Sequence, residues 1–430
     1  IESVYGEGSY PIKSRKQVSS MMRINEGESF LRYLEILYLS KLILVSRESY
    51  RDAAYHMAKT LYENYNVGKV RLKFTLSRAS SMKAEKIPGT DNTSSEDVIL
   101  GLYEGFMNYK RENQIFDFVL SPCFRKEDNF YDKKRFSSKE DDFMHQVEDL
   151  LVILEKYPEV YPHLTDVDTV GDERELHRKK QFFVMQPGFR KLRHYGFRLR
   201  SHHGETWHTL NNGIQAVDNA MNIWHIDTLE HGVSLGINPN YYLHGFFENA
   251  LDLNRKSKKL DPETQTGREI AGMDWRSRID IRDKLFAGSK LSSGEVVDFT
   301  KIKFFTATET EHYQHDVLNR MIDKDVSLTS LPSSNKRLTG QFSDYKNHPF
   351  SWWEKKGMRQ AIGTDNYVTL NTNFIREMLI LLFSDPKELK ITKLLMVATG
   401  ETRRPYLSKM LWDMRKSLMS GRQKGGGRLH

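Results

Sequence analysis

The sequence holds a single cysteine, Cys123. That excludes a disulfide scaffold and makes a reducing compartment, the cytoplasm, the expected home. It also excludes a Cys/His zinc finger and the nucleobase-deaminase motif that needs a Pro-Cys-x-x-Cys ligand pair. Long apolar runs are missing as well. A membrane span needs about 18 uninterrupted apolar residues, and the best stretch, Leu34 to Leu44, is shorter and contains Glu35, Ser40 and Lys41. No glycine-rich dinucleotide fingerprint opens a helix, and no internal repeat is visible. Nor is there a strong excess of one charge: 65 Lys and Arg stand against 57 Asp and Glu, a net +8 with the signs mixed along most of the chain. Such a balance suits a phosphate-bearing or nucleic-acid partner without demanding one.

What is present is apolar mass and a regular alternation. With 23 Phe, 20 Tyr and 6 Trp in 430 residues, the chain is expected to fold. Its length allows two or three ordinary domains, or one large α/β barrel with insertions. Tyr50, Ala53, Ala54, Met57 and Leu61 recur at helical spacing, with Gly68 as the stop, before the alternating run Val70 to Leu76. The same helix-then-strand rhythm continues. Helices are expected over Ser94–Tyr109, Asp141–Lys156, Glu173–Tyr195 (broken at Pro187-Gly188), Gly213–Ile223, His312–Ile322 and His348–Lys356. Strands are expected over Ile115–Ser121, within Tyr161–Val170, over Phe197–Ser201, up to His231, over Val326–Leu331 and over Met358–Thr364. Seven such alternations imply a parallel sheet, one strand short of an eight-stranded barrel. The chain begins at Ile1 without a signal-peptide pattern. The economical expectation is therefore a (β/α)₈ TIM-type barrel over residues 1–386 whose first strand lies upstream of Ile1. An open doubly wound sheet is the alternative.

Two segments break the rhythm. Asn254 to Thr300 is charged and irregular, and reads as an insertion between the sixth and seventh strands of such a barrel. Arg125 to Glu140 reads as a second polar loop. Each is either a solvated excursion or a contact with a partner or a second copy. Residues 387–430 read as a helical extension ending in the flexible Gly425–Gly427 tail.

In a barrel, reactive groups collect where strands end. Those ends supply Asp168 and Gly171, then His202 to Glu205, then His231-Gly232, then Ser333-Ser334-Asn335, then Asp365-Asn366. His202 and Asp365 are donor types that suit Zn²⁺, which lowers the pKa of its water to about 7. His231 is placed to take a proton, and a protonated Glu205 to donate one. Taken singly, a histidine at a strand end is more often a hydrogen-bonded structural group, and Asp365 followed by Asn366 also reads as a turn or helix cap. The stretch Arg190 to Arg200 reads either as a barrel edge or as a phosphate site next to the pocket.

Together these residues resemble the adenosine deaminase family of metal-dependent amidohydrolases. Ser201-His202-His203-Gly204-Glu205 is similar to its His-Ala-Gly-Glu motif, and Leu229-Glu230-His231-Gly232-Val233 to its Gly-His-Gly strand end. Pro332-Ser333-Ser334-Asn335 is similar to its Pro-Thr-Ser-Asn segment. His348-Pro349 with Gly363-Thr364-Asp365-Asn366 resembles its His-Pro and Asn-Thr-Asp-Asp-Pro pair. Asp168 to Glu173 resembles its Asp-Leu-Ala-Gly-Asp-Glu run. All five occur in the family's order, between Glu28 and Pro386.

The resemblance implies that His202 and Asp365 ligate one Zn²⁺ and that Glu205 protonates the purine ring. It also implies that His231 assists the attacking hydroxide and Gly171 lies against the purine. Asp168 stands behind the site as a supporting group, and Asn366 faces the imidazole edge. The implied reaction converts an adenine nucleoside or nucleotide (adenosine, deoxyadenosine, ATP or RNA) to its inosine form.

The departures are informative. The family's His-x-His ligand pair occurs nowhere and is expected upstream of Ile1. His203 replaces a small Ala, which would narrow the pocket or add a polar contact. Asn366 replaces an Asp, which would suit an anionic substrate. AMP deaminases carry a Cys after the first His, which this chain lacks. The whole is similar to the large deaminase subunits of bacterial antiphage systems such as RADAR, which implies a homo-oligomer, an ATPase partner and a role in antiviral defence. Two other readings stand beside it: a catalytically inactive scaffold of a large assembly, and a nucleotide- or RNA-binding module.

Overall fold

The computed structural model describes residues 14–25, 28–29, 32–33, 35–37, 43–76, 93–339, 342 and 344–384. The extension expected at 387–430 lies outside them. Seven strands form one sheet: β1 (Lys69–Thr75), β2 (Asp117–Arg125), β3 (Asp166–Val170), β4 (Arg198–His203), β5 (Thr228–His231), β6 (Ser327–Ser330) and β7 (Gln360–Ile362). They are hydrogen-bonded in chain order, and every pairing is parallel. A doubly wound sheet would reverse its order part-way, so that alternative is set aside.

The sheet is strongly curled. Strands stand about 4.8 Å apart, so β1 and β5 would be roughly 19 Å apart in a flat sheet. Instead Lys73 Nζ on β1 lies 2.9 Å from Glu230 Oε1 on β5. Among the described residues neither β1 nor β7 has a partner on its outer edge, so the sheet is a barrel left open along one side. No helix among those residues is long and apolar enough to cross a membrane.

Helices cover the outside. Before β1, α1 (Arg47–Tyr65) starts at the Ser46 cap and ends at Asn66, which takes the left-handed conformation (φ 53°), two residues before the expected stop at Gly68. Next, α2 (Ser95–Glu112) opens with a Ser94/Asp97 capping box, places Glu96 and Asp97 in its first turn and ends on Lys110 and Arg111, so both ends suit the helix dipole. After it, α3 (Lys139–Lys156) is capped by Ser138. The helical stretch expected over Glu173–Tyr195 is two short pieces, Lys179–Phe183 and α4 (Gln186–His194). Pro187 sits in the first turn of α4, where its missing N–H has no helical partner to lose, so it starts a helix instead of breaking one. The next helix, α5 (Leu210–Asn219), follows β4.

The segment expected to be irregular, Asn254 to Thr300, is helical. Between β5 and β6 stand α6 (Pro239–Arg255), α7 (Gln265–Ala271), α8 (Ile279–Ala287) and the long α9 (Ser293–Asp323). Lys256, Lys258, Lys259, Asp261 and Glu263 lie on an exposed turn between α6 and α7, while Ile270, Trp275, Ile281, Leu285 and Phe299 belong to the main core. Two further helices, α10 (Phe350–Lys355) and α11 (Phe374–Ser384), flank β7.

The inside of the curl is charged, where such barrels ordinarily stack branched apolar side chains. Arg71 pairs with Asp166 at 2.9 Å, Lys73 with both Asp168 and Glu230 at 2.9 Å, and Arg200 Nε with Glu230 at 2.9 Å. Three cations meet three anions. Burial alone would push the Glu230 carboxyl up, but Lys73 and Arg200 outweigh it and hold it well below its ordinary range.

Candidate active site

The strand ends bring the expected residues to one place. His202 is the last inward-facing residue of β4, because side chains alternate along a strand and Arg200 also faces in. Its Nδ1 lies 3.1 Å from Asp168 Oδ1 in the middle of β3. Asp168 is fully buried and also pairs with Lys73. Burial would raise its carboxyl, but His202 and Lys73 beside it hold it far below the usual range. An ionised Asp168 fixes the His202 tautomer and leaves Nε2 free, as in many metal-ligating histidines.

The ring of His231 stands 5.1 Å from that of His202. β5 ends on it in a strained turn, His231 at φ 70° and Gly232 at φ 62°. Its Nδ1 lies 2.7 Å from Asn335 Oδ1, and Asn335 Nδ2 lies 3.0 Å from His348 Nε2. With the amide in this orientation, His231 carries its proton on Nδ1 and offers the Nε2 lone pair to the site. Burial lowers the pKa of His231, and drives that of His348 down to about 3.

Glu205 faces this lone pair: its Oε2 is 3.6 Å from His231 Nε2. Burial raises the Glu205 carboxyl to about 7, with Asp365 adding to the rise and His202 opposing it. The backbone under it is held by Glu173, whose carboxylate accepts the N–H groups of Gly204 (3.0 Å), Glu205 (2.6 Å) and Thr206 (2.7 Å). Lys126, buried at the end of β2, donates to the His202 carbonyl and stands 3.8 Å from Glu173.

Asp365 follows β7 at φ 55°. Its Oδ1 accepts Tyr33 Oη at 3.0 Å and Asn366 Nδ2 at 2.8 Å, and its Oδ2 accepts Ser334 Oγ at 2.7 Å. The Asn366 amide also donates to Tyr33. Its N–H groups therefore turn inward, and its carbonyl oxygen is what remains for a ligand. Gly171, at φ 113°, has the Glu127 carboxylate where a side chain would stand. Only glycine fits there.

Two alternatives left open by the sequence are narrowed, the first in favour of an added polar contact at His203. His203 does not enter the pocket. It alternates to the outer face of β4, where it packs on Phe182 and Trp224 and meets Ser201 Oγ at 2.7 Å. The stretch Arg190 to Arg200 does not gather a phosphate at the strand ends. Lys191 pairs with Glu148, Arg193 with Asp227 before β5, and Arg200 points into the barrel.

His202 and Asp365 are suitable donors for Zn²⁺, but they are only two. Zinc takes three or four protein ligands, and among the described residues no three His, Cys, Asp or Glu stand so as to hold a metal ion. The residues present fit part of a zinc site.

Sequence reading missed Tyr33, Lys73, Lys126, Glu173 and Glu230. Glu173 and Glu230 lie inside the resembling motifs, so their positions were in view and only their partners were not.

No protein-family model matches the chain. No curated protein matches it either. Solved structures do. The apo N6-methyl-AMP deaminase of Arabidopsis thaliana aligns with a TM-score of 0.52 at 11% identity, over 89% of this chain and 80% of that one. Arabidopsis ADAL complexed with GMP aligns with a TM-score of 0.53 at 10% identity, over 93% of this chain and 87% of that one. An ADAL–IMP complex aligns with a TM-score of 0.52 at 10% identity, over 89% and 80%. At these identities the likeness establishes the fold: a curled parallel sheet of the TIM type, shared with these deaminases.

Proposed function

We propose that this chain is a hydrolase of the adenosine deaminase type acting on an adenine nucleoside or nucleotide. Water adds at the amino-bearing carbon of the ring, the C–N bond breaks, ammonia leaves, and the inosine form remains. Glu205, neutral below about pH 7, donates its proton to the ring nitrogen beside that carbon. His231, neutral and held by Asn335, accepts the proton that the water gives up and passes it to the departing amine, and the remaining hydroxyl proton returns to Glu205 as the product carbonyl forms. The Gly171 backbone lies against the purine, and Asn366 stands at its imidazole edge. His202, oriented by Asp168, and Asp365 would hold a divalent ion such as Zn²⁺ together with ligands from outside the described residues. When bound, that ion would supply the Lewis acid for the attacking water.

The observation that carries the reading is the facing pair: a carboxyl and an imidazole, both buried, 3.6 Å apart at the ends of neighbouring strands. The shared fold supports it, and the complexes of that fold with IMP and GMP favour a nucleotide. Assembly into an oligomer, an ATPase partner and an antiviral role rest on the sequence resemblance to the RADAR subunit. The test is ammonia release from adenosine, deoxyadenosine, AMP and ATP, with and without added Zn²⁺. Release from one of these supports the reading, and none from any of them at full metal content contradicts it.

The inactive scaffold draws on one observation, the incomplete ligand set among the described residues. A chain that binds no metal and releases no ammonia would be that scaffold. The RNA-binding module rests on the net charge of +8 alone, since Arg193 and Arg200 are engaged with acids.

A further inference from the structure

The stretch that carries Glu205 is gripped from two sides. Glu173 holds the peptides of residues 204–206, as described above. The next residues are held by the helices between β5 and β6. Trp207, two positions past Glu205, is buried and donates its indole N–H to Tyr242 Oη on α6 at 2.9 Å. Tyr242 in turn donates to Glu269 Oε1 on α7 at 2.6 Å. The same oxygen accepts the N–H of Leu210, the first residue of α5, at 2.8 Å. Gln265 on α7 donates to the His208 carbonyl at 3.0 Å. There is no slack around the indole: a side chain at Gly213 would meet the Trp207 ring at 2.9 Å.

We propose that Tyr242 and Glu269 are positioning residues for Glu205, so that the helical segment between β5 and β6 acts as a clamp that sets where the proton donor sits. This rests on the reading of Glu205 as the acid. The clamp is neutral at its centre. Burial lifts the Glu269 carboxyl to about 8, so near pH 7 it is a neutral acid that a glutamine can imitate. Loss of the Tyr242 hydroxyl leaves a buried indole N–H without its partner, and the relief available is movement of the loop. A displaced acid lowers the rate of chemistry and leaves substrate affinity alone.

The test uses the full chain with Tyr242→Phe, Glu269→Leu and Glu269→Gln, and reads kcat, KM and the hydrogen–deuterium exchange of the 204–210 amides. For Tyr242→Phe the expected result is kcat down by about tenfold, KM within about twofold, and faster exchange at 204–210. Glu269→Leu removes the acceptor of Leu210 and Tyr242 and is expected to lower kcat about tenfold, while Glu269→Gln keeps an acceptor and is expected to restore kcat to within about twofold of the parent; unchanged kcat in Glu269→Leu would strike Glu269 from the clamp. A Tyr242→Phe chain with unchanged kcat and a lowered Tm would show a merely structural role and overturn the inference. If Tyr242→Phe fails to fold, Gln265→Leu, which drops only the His208 link, is read instead: slower turnover with faster exchange supports the clamp, and neither change overturns it. Were the parent to release no ammonia, the deaminase reading would fall. The exchange arm would still decide the clamp, with unchanged protection at 204–210 counting against it.

Discussion

The Glu205 carboxyl and the His231 imidazole face one another across 3.6 Å, and burial moves them in opposite directions, the acid up to about 7 and the base down. A little below neutral pH both are largely uncharged. One therefore holds a proton to give while the other has a lone pair to receive one, without any charge being left unpaired in the pocket.

The pH dependence follows. The rate needs a protonated Glu205 and a neutral His231, so kcat/KM is expected to hold to about pH 7 and fall about tenfold per unit above it. The acid limb should lie below the ordinary imidazole value of 6.5. Stability follows the same proton. The folded pKa of Glu205 lies above its ordinary 4.5, so the folded chain binds more protons between 4.5 and about 7. The parent loses stability as pH rises through that window, by roughly 3 kcal/mol. Thermal melts at pH 5 and 8 should show a smaller pH difference in Glu205→Gln than in the parent. An equal difference would place the raised proton elsewhere.

Removing the lysine inside the curl tests the charge network. Lys73→Met leaves Asp168 and Glu230 buried without their shared cation, and a loss of about 3–5 kcal/mol is expected in denaturant titration. Adding Glu230→Gln to Lys73→Met should recover part of that loss, because the two residues are in contact. Strictly additive effects would mean the pair contributes nothing.

Metal binding tests the orienting role of Asp168. His202→Ala is expected to lose bound metal and activity together. Asp168→Asn keeps the ligand but gives up the charge that fixes its ring, so metal affinity should weaken by about 10–100-fold. A full metal complement in His202→Ala would remove it from the ligand set.

The alternation of helix and strand was legible because each strand carries its period and each helix its cap. The residues Asp168, His202, Glu205, His231 and Asp365 were legible because chemistry-bearing types stood at or near the points where strands stop. The interior was not. Val70-Arg71-Leu72-Lys73 has the same polar–apolar alternation as a strand with one wet face, and nothing local says that Arg71 and Lys73 point into a curl to meet acids from β3 and β5. Arg200 misled in the same way. Tyr33 reaches Asp365 from more than three hundred residues away, a contact that no spacing rule contains. The segment Asn254 to Thr300 looked irregular because α7 and α8, which lie wholly within it, are short, yet Thr264 caps α7, and Ser292 with Glu295 boxes the start of α9.

The most direct measurement is ammonia release by Glu205→Gln beside the parent, on an adenine nucleotide, at equal metal content and equal Tm. A fall of about 10²–10⁴-fold is expected, since glutamine fills the site but has no acidic proton to give. Unchanged turnover in that variant would contradict the assignment of Glu205 as the proton donor, and with it the proposed chemistry.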